Sequence, residues 1–300
     1  MKLIINNLSK TYDNGVHALD DVTLTIEAGM FGLLGQNGAG KSTLMRTIAT
    51  LQDADAGSIS FEAASGETID VLSKPHELRK RLGYLPQEFG VYPNVNAEEL
   101  LSHVADLKGI ANKQDCKSEV ERLLQRVNLY DVRKKPLSTY SGGMKQRFGI
   151  AQALIGAPEL IIVDEPTAGL DPMERNRFYN LLAEIGENTV VILSTHIVED
   201  VSTLCNAMAI IGGGRVLRTG KPLDIEESMD GALWEKRIGK SELASYTARY
   251  DVISQRFYAG QMLITVLSDE RLDDEGFYRK SPSLEDAYFA TIHEKAVQAA

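Results

Sequence analysis

Polar and apolar positions alternate near the start of the chain. Val22, Leu24 and Ile26 repeat at period two, and with the apolar run at 3–5 they predict strands over residues 3–5 and 22–26. Residues 30–34 are apolar apart from one glycine and predict a buried strand, followed by a glycine-rich loop at 35–43 and a helix to about 48. Further on the pattern predicts a strand at 57–61, a short basic helix at 75–81 and a strand at 83–87 that ends at a proline. Residues 97–130 carry helical spacing in Leu100, Val104 and Leu107, then in Val120, Leu123, Leu124 and Val127. Ser141 is placed as the N-cap of a helix to about 155, and 160–163 is a buried-type strand. Asp171 and Pro172 open the next helix, 189–193 is another strand, and a helix with the acidic start Glu199-Asp200 follows. From about 221 the texture changes: strands at 248–258 and 262–267 flank an Ala259-Gly260 turn, and Ser283 with Asp286 resembles a capping box before a last helix. That tail reads as a small α+β appendage.

Composition sets the limits. A hydrophobic share of 43% and a charged share of 25% argue against disorder, and 300 residues suit one large domain or two unequal ones. The net charge of -10 leaves no basic excess for a phosphate backbone, so nucleic acid is not expected as a partner. Cys116 and Cys205 lack metal-ligand spacing and read as structural thiols of a reducing compartment. The first residues, with a three-residue apolar run broken by Asn6-Asn7, are not expected to act as a signal peptide, and no apolar run approaches the length that spans a bilayer.

The loop at 35–43 carries the first chemistry. Gly35, Gly40, Lys41 and Ser42 fit G-x-x-x-x-G-K-[ST] between a strand and a helix, the context that motif requires. Glycines at 35, 38 and 40 let backbone N–H groups curl around an anion at a helix N-terminus. Lys41 is then expected to reach the β- and γ-phosphates and the Ser42 hydroxyl to hold Mg²⁺.

Other positions gain meaning from that loop. Asp164 and Glu165 follow an apolar strand, where ligands of open α/β folds bind and where a P-loop requires a metal-holding acid. His196 follows the strand at 189–193 and is expected at the same edge. Gly142 and Gly143 at a helix start cost stability, about 1 kcal/mol each inside a helix, so close approach of another group is their expected reason. Tyr12, beside the Asn14-Gly15 turn, either stacks on a nucleotide base or covers a sheet edge.

These residues, in this order over about 2–220, resemble the ATP-binding subunits of ABC transporters. Residues 35–43 are similar to that family's Walker A loop, Gln87 to its Q-loop, Ser141-Gly142-Gly143-Met144 to its signature, and 160–165 to its Walker B strand. Asp171 falls in its D-loop, His196 is similar to its switch histidine, and Tyr12 to the aromatic that stacks on adenine. Tyr140 and Met144 depart from the usual Leu-Ser-Gly-Gly-Gln, leaving its Ser-Gly-Gly centre intact.

The resemblance implies an α/β P-loop NTPase: a RecA-like core, an antiparallel β subdomain, a helical signature subdomain over about 88–158, and an accessory domain at 221–300 after the ATP-binding domain at 1–220. It implies ATP and Mg²⁺ as cofactors. ATP would be held by Tyr12, Gly35, Asn37, Gly38, Ala39, Gly40, Lys41, Ser42 and Thr43, and from a second subunit by Ser141, Gly142, Gly143 and Asp171. Ser42, Gln87 and Asp164 would serve the metal, and Glu165, His196, Lys41 and Gln87 the hydrolysis. The resemblance also implies a head-to-tail dimer with a second ATP-binding subunit, a homodimer or else a heterodimer, and the signature helix start, which has no Lys or metal ligand of its own, agrees with that.

The implied partner is an integral membrane permease, with the aromatic loop at 89–95 as docking surface, so the expected location is cytoplasmic, on the inner face of the membrane. The short Leu-Glu-Asp element at 284–286 resembles ATPases of bacterial exporters, which implies export. A soluble ABC-type ATPase of DNA repair or translation is the alternative. Repair members carry long heptad segments between Lys41 and Ser141, and translation members carry two cassettes; neither feature is present.

Overall fold

The computed structural model describes residues 1–87, 90, 94–167 and 169–298. The docking surface expected at 89–95 therefore lies largely outside the described residues. By contacts the chain divides into Met1–Val216 and Leu217–Ala300.

In the first unit the elements are β1 (Lys2–Thr11), β2 (His17–Glu27), β3 (Gly29–Leu34), α1 (Lys41–Ile48), β4 (Ala56–Glu62), β5 (Thr68–Asp70), α2 (Pro75–Arg81) and β6 (Leu82–Leu85). They continue with α3 (Ala97–Leu107), α4 (Lys113–Arg126), α5 (Gly142–Leu154), β7 (Leu160–Asp164), α6 (Pro172–Gly186), β8 (Val190–Thr195), α7 (Val198–Leu204) and β9 (Ala207–Gly212). The division falls inside β10 (Arg215–Gly220).

Two sheets form. One has the order β2-β1-β4-β5, with every pairing antiparallel. The other has the order β10-β9-β3-β8-β7-β6, in which β3 runs parallel to β8 and β9, and β7 parallel to β6 and β8. Its central strands are buried along their whole length, as the unbroken apolar runs predict for a parallel sheet covered on both faces. Leu160 and Ile162 of β7 and Val190 and Ile192 of β8 face a core shared with α1 and the antiparallel sheet. Ile161, Val163, Val191 and Leu193 face the opposite core, filled by Leu101, Leu124, Phe148, Phe178 and Leu182 from the helices.

This period-two division brings three strand ends to one edge. Leu34 pairs with Thr195 and Asp164 with Ser194, so the chain leaves the sheet together at Gly35, Glu165 and His196. The helical stretch expected at 97–130 is two helices, because the chain turns at Gly109 with φ 88°, a conformation that favours glycine. Helix α3 starts from a capping box between Asn96 and Glu99.

The second unit contains α8 (Pro222–Glu227), β11 (Leu233–Ile238), α9 (Leu243–Arg249), β12 (Asp251–Tyr258), β13 (Gln261–Leu267), β14 (Tyr278–Arg279) and α10 (Leu284–Gln298), with an antiparallel sheet in the order β12-β13-β11-β14. The strand expected from 248 begins only at Asp251. Leu243, Tyr246 and Tyr250 recur at helical spacing instead, and Tyr246 and Tyr250 pack on each other and edge-on to Phe277. The capping box is formed: Ser283 N donates to Asp286 Oδ2 at 3.0 Å and Asp286 N to Ser283 Oγ at 3.3 Å. Among the described residues no helix is long and apolar enough to cross a membrane.

Candidate active site

The loop after β3 is shaped by close packing at two of its three glycines. A Cβ on Gly35 would lie 2.5 Å from the Ile211 carbonyl oxygen, and one on Gly40 2.4 Å from that of Ala18. Gly38 meets nothing within 4 Å and is needed for its φ of 80°. Lys41, the first residue of α1, is 4% exposed, and its Nζ donates to Gly35 O at 2.7 Å and Gln36 O at 3.1 Å. Burial pushes its ammonium below the usual lysine range, and the nearby Glu165 and Asp164 charges partly offset this. Asn37 is exposed, Ala39 and Thr43 are buried, and Ser42 is half-buried.

Glu165 is where the other predicted residues meet. Gln87 Nε2 donates to its Oε2 at 3.0 Å, while His196 Nδ1 lies 3.2 Å and Lys41 Nζ 3.8 Å from its Oε1. Lys41, Gln87 and His196 come from three separate segments of the sequence and converge on one carboxylate that is 8% exposed. Its backbone N–H donates to Ser194 O at 2.9 Å, and its φ is 47°, a left-handed conformation that is uncommon for a residue with a side chain.

Asp164 beside it is 4% exposed. Its Oδ1 meets no hydrogen-bond donor among the described residues; Ser194 Oγ lies near, and neither atom closes a bond. Burial raises its carboxyl above the usual range; Glu165 adds to that, and the neighbouring Ser194, Lys41 and Ser42 pull the other way.

Tyr12 stands just past β1, at the turn closed by Gly15 N donating to Tyr12 O at 2.8 Å. Its hydroxyl lies 3.1 Å from Thr43 Oγ1 and 3.2 Å from Gln52 Oε1, and Gln52 Nε2 donates to Thr43 O and Thr47 Oγ1. The ring, 37% exposed, is thereby tied to α1. Gln52 carries no motif, so nothing in the sequence singles it out.

Ser141 and Asp171 sit apart from this cluster, each as an N-cap: Ser141 Oγ accepts from Met144 N and Asp171 Oδ1 from Glu174 N. No hydrogen bond or ion pair among the described residues joins them, or Gly142 and Gly143, to the P-loop. The group that approaches Gly143 is Glu174 of α6, whose Oε2 would lie 2.6 Å from an added Cβ; Gly142 faces open space. Glu174 also lies 3.4 Å from Arg147 and so links the starts of α5 and α6. Tyr140 is buried with its hydroxyl donating to Val132 O, which makes its departure from the usual leucine a matter of helical-core packing.

A glycine-rich loop at a helix N-terminus and a lysine beside paired buried carboxylates are the parts that a phosphoryl-transfer site requires. The family model described as ABC transporter matches residues 19–168, half of the chain. The uncharacterized ABC transporter ATP-binding protein YxlF of Bacillus subtilis is 30% identical over 97% of this chain and 99% of its own length. The daunorubicin/doxorubicin resistance ATP-binding protein DrrA of Streptomyces peucetius is 31% identical over 90% of this chain and 80% of its own. The methionine import ATP-binding protein MetN 2 of Bacillus cereus is 36% identical over 73% of this chain, which spans 66% of that protein. Among solved structures, an ATP binding subunit of an ABC transporter superposes with a TM-score of 0.66 at 29% identity, over 76% of this chain and 93% of that one. The chain belongs to the ABC transporter family of ATP-binding proteins, and its fold is the P-loop ATPase cassette.

Proposed function

We propose that this chain is the motor of a transporter, hydrolysing ATP at the P-loop and passing the resulting change of state to a separate membrane subunit. The observation that carries the reading is the convergence of Gln87, His196 and Lys41 on the Glu165 carboxylate beside the phosphate loop. In this reading the loop amides and Lys41 bind the β- and γ-phosphates, and Tyr12 stacks on the base. Glu165 accepts a proton from the attacking water, Gln87 holds its carboxylate in place, and His196 beside it contacts the γ-phosphate.

Asp164 and Ser42 fit a divalent cation. Oδ1 of Asp164 is buried and unpaired, and its raised carboxyl is what a cation would bring back to the ionised form. A cation held there would supply charge neutralisation at the phosphates, and Gln87 is the third residue we assign to it. Ser141, Gly142, Gly143 and Asp171 are assigned to the nucleotide of a second subunit, which accounts for their separation from this chain's P-loop. The membrane subunit is the partner that puts this chain on the inner face of a membrane.

Export is the direction we propose: the match to DrrA, a resistance protein, reaches over 90% of the chain, whereas that to a methionine import protein covers 73%. The test of the motor reading is phosphate release by the purified chain with Mg-ATP, compared with Lys41→Ala. Loss of most turnover is expected, and an unchanged rate would refute the assignment of the loop.

A further inference from the structure

Asp200, in the first turn of α7, is 0% exposed, and no ion pair reaches it among the described residues. An isolated buried carboxylate costs several kcal/mol, so its hydrogen bonds must compensate. It accepts three, from hydroxyls on the turn after β7, the end of β8 and α6. Thr167 Oγ1 and Thr195 Oγ1 both donate to Oδ2 at 2.7 Å, and Tyr179 of α6 donates to Oδ1 at 2.5 Å. Burial, and next the bond to Asp200, push the Tyr179 phenol well above its usual range, so it stays a donor.

The two threonines flank the site. Thr195 immediately precedes His196, and its hydroxyl also accepts from Ile197 N at 3.0 Å, so the backbone on both sides of His196 is fastened through one oxygen. Thr167 follows Glu165 by two residues, in the turn that must maintain the φ of 47° at Glu165. Backbone in that region persists only where its surroundings over-determine it. A carboxylate that merely capped α7 would bond that helix's own N–H groups; this one reaches across to the two strand ends.

We infer that Asp200 is a positioning residue, which clamps the turn after Glu165 to the end of β8 and so sets the distance between Glu165 and His196. The inference rests on the roles proposed above for those two residues.

The test uses the full chain. Thr167→Val and Thr195→Val each remove one strap, while Thr167→Ser and Thr195→Ser keep the hydroxyl. Each Val variant is expected to lower kcat for Mg-ATP about tenfold and to change KM less than about twofold, with the Ser variant recovering most of the loss. In a His196→Ala background, Thr195→Val is expected to add little, because residues acting as a unit are non-additive. Asp200→Asn keeps an oxygen for both threonines and turns an N–H to Tyr179, so it is expected to stay within about threefold of the parent, and a loss of about tenfold or more in a folded Asn variant would overturn the inference.

Val variants with parental kcat beside impaired Glu165→Gln and His196→Ala would overturn this inference alone. A loss that Ser does not restore, or one that multiplies fully with His196→Ala, would overturn it as well. Parental turnover in Glu165→Gln and His196→Ala would remove the underlying reading, and this inference with it.

Discussion

Oε1 of Glu165 lies 3.2 Å from Nδ1 of His196, across the ends of two neighbouring parallel strands. The histidine is the more exposed partner, with 45% of its side chain accessible against 10% for the glutamate. It can therefore turn toward a phosphate while the carboxylate stays fixed. His196→Ala should lower kcat about a hundredfold and leave ATP affinity within about threefold, by phosphate release and nucleotide titration. A proportional loss of affinity would make the histidine a binding group instead.

Asp164 sets function against stability. Burial raises its folded pKa above the ordinary 3.8, so the fold prefers the protonated acid. The penalty is absent below 3.8 and grows as pH rises through the raised value. In metal- and nucleotide-free buffer at neutral pH, Asp164→Asn should melt about 2–4 °C higher than the parent, a gain of about 1 kcal/mol that shrinks on acidification. With Mg-ATP the order should reverse. A lower melting temperature for the variant in metal-free buffer would show that the carboxylate is satisfied within the fold.

The strand ends that build the site are legible in the sequence because a buried parallel strand is an unbroken apolar run, and the residue after it stands at the ligand edge. Gly35, Asp164 and His196 can be placed in this way. The φ at Glu165 cannot, since nothing in Asp164-Glu165-Pro166 distinguishes a left-handed glutamate from an extended one. Asp200 shows in the sequence only as the acidic start of a helix, and its partners lie 5, 21 and 33 positions away, beyond any local pattern. The end of the helix at 243–249 overlaps a stretch with a strand-like pattern because its aromatics suit either element. Its packing on Phe277 decides the matter.

The loop glycines should not be equivalent. Gly40→Ala combines a φ of 108° with a Cβ 2.4 Å from a backbone carbonyl and should cost at least about 2 kcal/mol. Gly38→Ala has only its φ to bear and should cost about 1 kcal/mol. Urea midpoints at constant slope measure both, and equal losses would mean that the contact with Ala18 is not a constraint.

Tyr12 holds its ring in place through its hydroxyl, bonded to Thr43 and Gln52. Tyr12→Phe should therefore weaken ATP roughly threefold, and Tyr12→Ala more than about tenfold as the stacking face is lost too. Fluorescence titration decides between them. Equal affinities for the parent and the Phe variant would detach the hydroxyl from nucleotide binding.

Glu165 as the base is the assignment on which the other roles depend. Glu165→Gln keeps the volume and an oxygen to accept from Gln87 Nε2 but cannot take a proton. Purified variant, incubated with Mg-ATP and separated by size exclusion with light scattering, should retain uncleaved ATP and elute as an ATP-dependent dimer, and Ser141→Arg added to it should abolish that dimer. Release of phosphate at the parental rate by Glu165→Gln would contradict that role.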